Sequence, residues 1–128
     1  MKTAYVDTSY LVAILFREAG WQRLRTALRP YQLIASELVA AELLAVLRRE
    51  QLSPAAAKDA LAAIHWVFPD RSLRPEIDQV LARAYVRGAD LWHLACACFI
   101  APDPVRMSFL TCDERQREIA AAIGFPIS

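Results

Sequence analysis

The sequence predicts an α/β domain with a central, mostly parallel sheet of four to five short strands flanked by helices. Short apolar runs such as Ala4-Tyr5-Val6 and Tyr31 to Ala35 alternate with longer segments of helical apolar spacing. The runs ending at Asp7 and Asp113 each lead from an acid straight into a helical pattern, and prolines and glycines punctuate the segments between. A chain of 128 residues has the length of one domain, so residues 1–128 are read as a single unit. With 56% hydrophobic and 23% charged residues there is ample apolar surface for a packed core, which excludes a disordered or low-complexity chain.

Taken in order, Ala4-Tyr5-Val6 is the first strand, and the segment from Thr8-Ser9 carries Leu11, Val12, Leu15 and Phe16 at helical spacing. Gly20 breaks that pattern, a short helix covers Trp21 to Leu28, and Pro30 leads into a second strand from Tyr31 to Ala35. Ser36 is positioned to cap a helix from Glu37 to about Glu50, and Ser53-Pro54 opens another that is expected to reach Val67 as the second arm of a helical hairpin. Arg71-Ser72-Leu73 is read as a third strand. Pro75 starts a helix with Ile77, Val80, Leu81, Ala84 and Tyr85 on one face, and Gly88 ends it. A helix from Asp90 to about Ile100 stops at Pro102-Asp103-Pro104, and Met107 to Cys112 is the fourth strand. A helix follows Asp113, Gly124 lies past its end, and Phe125-Pro126-Ile127 is a short edge strand.

Composition excludes several function classes. Fifteen Lys and Arg against fourteen Asp and Glu give a net charge of +1, so no global field draws the chain onto nucleic acid or an anionic membrane, and such contacts require a local basic patch. Lys2 and Lys58 are the only lysines, and neither is placed to serve as a catalytic amine. Three cysteines make no disulfide framework, and Cys96 and Cys98, two apart on a helix, point in divergent directions. The first residues reach Asp7 before any signal-peptide core is built, and no stretch has the ~18 uninterrupted apolar residues of a membrane span. A cytoplasmic protein with no membrane partner is expected.

The informative residues are acids with apolar neighbours. Asp7 and Asp113 stand at the carboxyl ends of predicted strands, where open parallel sheets form their ligand crevice. Glu42 falls between Leu38 and Val46 on the helical wheel, inside the stripe that should be buried, with no basic residue three or four positions away. Asp90 opens an otherwise apolar helical segment. Asp7, Asp90 and Asp113 also serve as ordinary helix N-caps, Asp113 with Gln116 as a capping box. Glu42 has no such plain role, because a buried carboxylate is costly unless paired. If all four converge, neighbouring charges ~4 Å apart repel by about 4 kcal/mol per pair at an effective dielectric of 20, a conflict that a divalent cation removes. Hard oxygen donors without a Cys/His set favour Mg²⁺ or Mn²⁺ over zinc and point to phosphoester chemistry.

The motifs Tyr5-Val6-Asp7-Thr8-Ser9-Tyr10-Leu11, the Glu42 helix, Arg87-Gly88-Ala89-Asp90-Leu91-Trp92-His93-Leu94-Ala95, and Phe109-Leu110-Thr111-Cys112-Asp113 followed by Ala122-Ile123-Gly124-Phe125 resemble a PIN-domain ribonuclease. More narrowly, the chain resembles a VapC-type toxin of a prokaryotic toxin–antitoxin pair, over essentially its whole length and with the motifs in family order. The resemblance implies that Asp7, Glu42, Asp90 and Asp113 form an acidic Mg²⁺ or Mn²⁺ site supported by the hydroxyls of Ser9 and Thr111. It also implies an RNA substrate, frequent homodimerisation, and inhibition by a cognate VapB-like antitoxin. Cys112 departs from the larger or aromatic residue often found there. On this reading Asp7 and Asp90 are direct ligands, and Glu42 and Asp113 share the orientation of water, a second ion and proton acceptance, in a division the residue types leave open.

Other readings compete. A receiver domain needs a lysine late in the chain, and none follows Lys58; a haloacid-type phosphatase needs Asp-x-Asp after its first strand, where this chain has Asp7-Thr8-Ser9. The serious alternative is a non-catalytic PIN-fold module that acts only by binding protein within an autoregulatory complex. His93, one turn after Asp90, is expected to be a hydrogen-bonded packing residue. Trp21, Trp66 and Trp92 are expected to pack rather than stack bases, and Arg48, Arg49, Arg115 and Arg117 are candidate phosphate contacts that also suit solvated helix ends.

Overall fold

The computed structural model describes residues 1–127. Its sheet runs β3-β2-β1-β4, built from β1 (Lys2–Val6), β2 (Tyr31–Ser36), β3 (Ile64–Val67) and β4 (Ser108–Leu110). Every neighbouring pair is parallel, with Ala4 opposite Leu33 and Ser108, and Leu33 opposite Ile64. The helices are α1 (Thr8–Leu15), α2 (Trp21–Ala27), α3 (Leu38–Arg49), α4 (Lys58–Ala62), α5 (Arg74–Leu81), α6 (Gly88–Ile100) and α7 (Glu114–Ile123), with 3₁₀ turns at Pro54–Ala57 and Pro104–Arg106. This is the predicted α/β architecture, a parallel sheet covered by helices.

Alternation along the strands divides the core. In β1, Ala4 and Val6 point to one face and Tyr5 to the other, and in β4 Leu110 and Phe109 divide likewise. One face packs Val39, Leu43 and Leu47 of α3 with Tyr10 and Leu11 of α1; the other packs Leu94, Ala95 and Ala97 of α6 with Val80 of α5 and Ile119 of α7. Each fully buried Leu or Val contributes about 1.5–3 kcal/mol. Among the described residues no helix is long and apolar enough to cross a membrane.

Five local expectations are corrected. The segment opened by Ser53-Pro54 does not run on as a helix to Val67: Ser53 caps the 3₁₀ turn through the Ala55 amide, α4 stops at Ala62, and Ile64 to Val67 turns into β3. Its alanines suit a helix, but the β-branched and aromatic Ile64, Trp66 and Val67 suit a sheet edge, and β2 supplies the pairing partner. Arg71-Ser72-Leu73 is not a strand, because Arg71 forks onto Glu76 at 2.9 and 2.6 Å and Ser72 Oγ accepts from the Arg74 amide, bending the chain into α5. Gly88, at φ +59°, begins α6 rather than ending α5, which stops at Leu81. Phe125 to Ile127 form no strand, although the Phe109 amide donates to Pro126 O at 2.9 Å and so closes β4 over a single rung. Ser36 caps no helix; its hydroxyl lies against that of Tyr5.

Strand order positions the site. From β1 the chain builds outward through β2 and β3 and then returns to lay β4 on the other side of β1, so the crevice at the topological switch opens between the carboxyl ends of β1 and β4.

Candidate active site

Asp7 leaves β1 in extended conformation and caps α1, its Oδ1 accepting from the Tyr10 amide at 3.3 Å and from Ser9 Oγ at 2.7 Å. Only 4% of it is exposed. Burial raises its carboxyl above the usual 3.8, and the Thr111 and Ser9 hydroxyls, the Tyr10 amide and His93 pull it partly back. Ser9 Oγ also accepts from the Cys112 amide at 3.0 Å and lies 3.2 Å from Thr111 Oγ1, which in turn accepts from the Asp113 amide at 3.0 Å. These two hydroxyls stitch the end of β1 to the end of β4.

Asp113 caps α7 by accepting from the Gln116 amide at 2.9 Å, and its carboxylate is exposed. The capping box is only half made, since the Gln116 side chain turns away and its Nε2 donates to Asp90 O at 3.1 Å. Gln116 therefore holds the α6 and α7 termini together, and its buried Oε1 has no partner among the described residues. Asp90 is no N-cap: it lies in the first turn of α6, whose cap position is Arg87. Its carboxyl opens partly to solvent yet is pushed above 3.8, first by partial burial, then by Asp113 and, more weakly, by Glu42, against the opposing pull of His93.

Glu42 enters from α3, half-buried, and its Oε1 accepts from Thr8 Oγ1 and from His93 Nε2, both at 2.7 Å. His93 is 2% exposed, and its Nδ1 lies 2.7 Å from the Tyr5 hydroxyl. Because a carboxylate only accepts, Nε2 carries a proton toward Glu42; on the other side of the ring Nδ1 shares a hydrogen bond with the Tyr5 hydroxyl, which also lies 3.3 Å from Ser36 Oγ. Burial holds the Tyr5 phenol far above its ordinary value, so it stays a donor. A chain of hydrogen bonds, Tyr5 to His93 to Glu42, thus links β1, α6 and α3 and holds the carboxylate in place; Glu42 stands half-buried beside the buried stripe of Val39, Leu43 and Leu47 rather than inside it.

All four acids lie at the same end of the sheet. Among the described residues, however, no three His, Cys, Asp or Glu side chains stand close enough together to hold a metal ion as they are placed. Mutual repulsion favours such a spread arrangement of carboxylates. The donor set itself, hard carboxylate oxygens steadied by hydroxyls and amides, fits Mg²⁺ or Mn²⁺, with Asp7 buried at the end of β1 and Asp90 beside Asp113 at the start of α6.

The model of the PIN-domain family matches residues 4–122. The chain belongs to the PIN-domain family. No curated protein matches it. In this PIN domain the match takes in all of the sheet but the first two residues of β1, every helix but the last residue of α7, and all four acids.

Sequence reading missed the partners. Thr8 and Tyr5 lie beside Asp7 in the first motif, but nothing in their spacing shows that one bonds the Glu42 carboxylate and the other its histidine. His93 is the hydrogen-bonded, buried residue expected, though its partner is a site acid. Trp66 and Trp92 pack partly buried against the two cores, while the Arg17 and Arg25 guanidiniums both lie over the Trp21 ring, 5.1 and 5.2 Å from its centre. Among the candidate phosphate contacts, Arg49 pairs with Glu50, Arg117 donates to Thr111 O, and Arg115 donates to Tyr85 O; Arg48 is exposed at the end of α3. Cys96, Cys98 and Cys112 are free, and burial pushes the first two thiols up to about 11.

Proposed function

We propose that this PIN domain is a Mg²⁺- or Mn²⁺-dependent endoribonuclease and the toxin of a type II toxin–antitoxin pair, acting as a homodimer and restrained by a VapB-like antitoxin. The nuclease reading is supported by the PIN fold, with Asp7 and Asp113 at the carboxyl ends of β1 and β4 and Glu42 and Asp90 reaching the same end of the sheet from α3 and α6. The toxin, dimer and antitoxin readings rest on the likeness of the sequence motifs to VapC-type proteins.

Asp7 and Asp90 would hold the cation, with Asp113 beside them. When bound, a divalent ion lowers the pKa of water and stabilises the charge that develops on the phosphodiester. The protein does the rest. Ser9 holds the Asp7 carboxylate by its 2.7 Å hydrogen bond and is itself steadied by the Thr111 hydroxyl 3.2 Å away. His93 and Thr8 occupy Oε1 of Glu42, which leaves Oε2 to take the proton of the attacking water.

Asp7→Asn is expected to lower Mg²⁺-dependent cleavage of RNA at least about a hundredfold while circular dichroism shows the fold intact. Undiminished cleavage in that variant refutes the assignment. Calorimetric titration with Mn²⁺ separates the nuclease from a purely protein-binding module, because only the nuclease binds the ion and loses it in the Asp7 and Asp90 variants. Growth arrest on induction, relieved by co-expression of a small DNA-binding partner from a neighbouring reading frame, tests the toxin reading.

A further inference from the structure

A cavity of about 200 Å³ opens between the start of α6 and the start of α7, lined by Asp90, Asp113, Arg87, Arg115, Gln116 and Tyr85. Two carboxylates and two guanidiniums share it without pairing. The ion pairs among the described residues join Arg49 to Glu50, Arg71 to Glu76, Arg106 to Asp103 and His93 to Glu42, and none crosses this cavity. Opposite charges brought to one wall of one cavity and left unpaired have their coordination free for a ligand carrying both needs, an anion for the arginines and a cation for the acids. The Arg115 guanidinium is spent only on the carbonyl of Tyr85, and that bond ties the irregular segment before α6 to α7. It also fixes the cavity rim, where the Tyr85 side chain stands 70% exposed, a large aromatic surface that ordinary packing would bury. Behind them Gln116, 1% exposed with its Oε1 unpartnered, joins Asp90 O to the Asp113 carboxylate and makes the floor rigid.

We infer that this cavity is the subsite for the ribonucleotide adjoining the scissile phosphate, an inference that rests on the nuclease reading above. The guanidiniums of Arg87 and Arg115 hold its phosphate oxygens and the Tyr85 ring stacks on its base. The acids on the same wall are shared with the catalytic crevice, so a phosphate held here places the next one along the strand beside Asp90. A single-stranded substrate follows, because a base still paired within a duplex cannot lie on the Tyr85 face.

Binding of a fluorescein-labelled, mixed-sequence single-stranded RNA to the full chain, followed by anisotropy in EDTA so that no strand is cut, tests this directly. Tyr85→Ala is expected to weaken binding about fivefold or more, and Tyr85→Phe to restore it. Arg87→Ala should weaken binding to all sequences alike and reduce the slope of log K against log salt by about 0.7. Arg83→Ala, in the same segment but outside the cavity, should bind as the wild type does. Wild-type affinity and salt slope in both the Tyr85→Ala and Arg87→Ala proteins overturn the subsite while leaving the nuclease reading standing. Failure of the wild-type chain to bind RNA at all overturns both.

Discussion

Glu42 and Asp90 reach the crevice from helices on opposite faces of the sheet, and the protein treats them in opposite ways. The Glu42 carboxylate is met by a hydroxyl and an imidazole before any ligand arrives, and its imidazole is held in turn by a buried phenol. Asp90 meets partial burial and two other acids, with the attraction of His93 as its counterweight. One arm is preorganised; the other carries an unmet charge. On the proposed reading, a site that receives a cation needs both conditions, since ligands already satisfied by the protein gain little from the ion, and ligands without support have no fixed geometry.

Removing the support from the first arm has the largest expected effect. His93→Leu leaves the Tyr5 hydroxyl and the inner oxygen of Glu42 without their shared partner, and urea unfolding should show a loss of about 2–4 kcal/mol. A loss confined to a few tenths would mean that water replaces the ring and that the arm is not preorganised. Tyr5→Phe is a milder cut through the same chain: about 1 kcal/mol of stability and roughly a tenfold fall in cleavage, as for other residues supporting a ligand from behind. Nitrogen-15 spectra of the wild type should show a proton on His93 Nε2, and a ring protonated on Nδ1 alone would overturn the bond to Glu42.

Asp90→Asn probes the second arm, with the smallest change in stability and the opposite sign. Because the folded carboxyl titrates above its ordinary 3.8, the native state of the metal-free wild type binds the proton more tightly than the unfolded chain. Its contribution to stability therefore falls as pH rises from 3.8 through the raised value. The asparagine variant lacks that fall, so the two proteins should match at low pH and separate above it, the variant becoming more stable by less than about 1 kcal/mol for so solvent-screened a group. The same variant should lose Mn²⁺ binding. Equal pH profiles would show that Asp90 bears no unmet charge.

Elements whose hydrophobic spacing spans several turns were legible in the sequence, as α3 and α6 show. So were the acids at strand ends, because strand, acid and helix follow one another in a single local pattern. Ile64 to Val67 was not, since a short run becomes a strand only through its pairing with β2, which local periodicity does not encode. The same holds within the site. Asp7, Glu42, Asp90 and Asp113 stand out as charges in apolar company, but the Thr8, Tyr5 and Gln116 contacts that fix or link them join segments 26 to 88 residues apart. Ser36 shows the local signal misleading, because a hydroxyl before a helix reads as a cap until a buried tyrosine from another strand reaches it.

The hydroxyl stitch between residues 9 and 111 has a consequence for synthesis. Its two halves lie 102 residues apart along the chain, and β4, the strand beside Asp7, is the last of the four to be synthesised. While that strand is still inside the ribosome, Asp7 faces an open sheet edge and neither Thr111 nor Asp113 exists to complete the crevice. On the proposed nuclease reading, a nascent chain, or one cut short before Thr111, would be unable to cleave RNA until that strand docks.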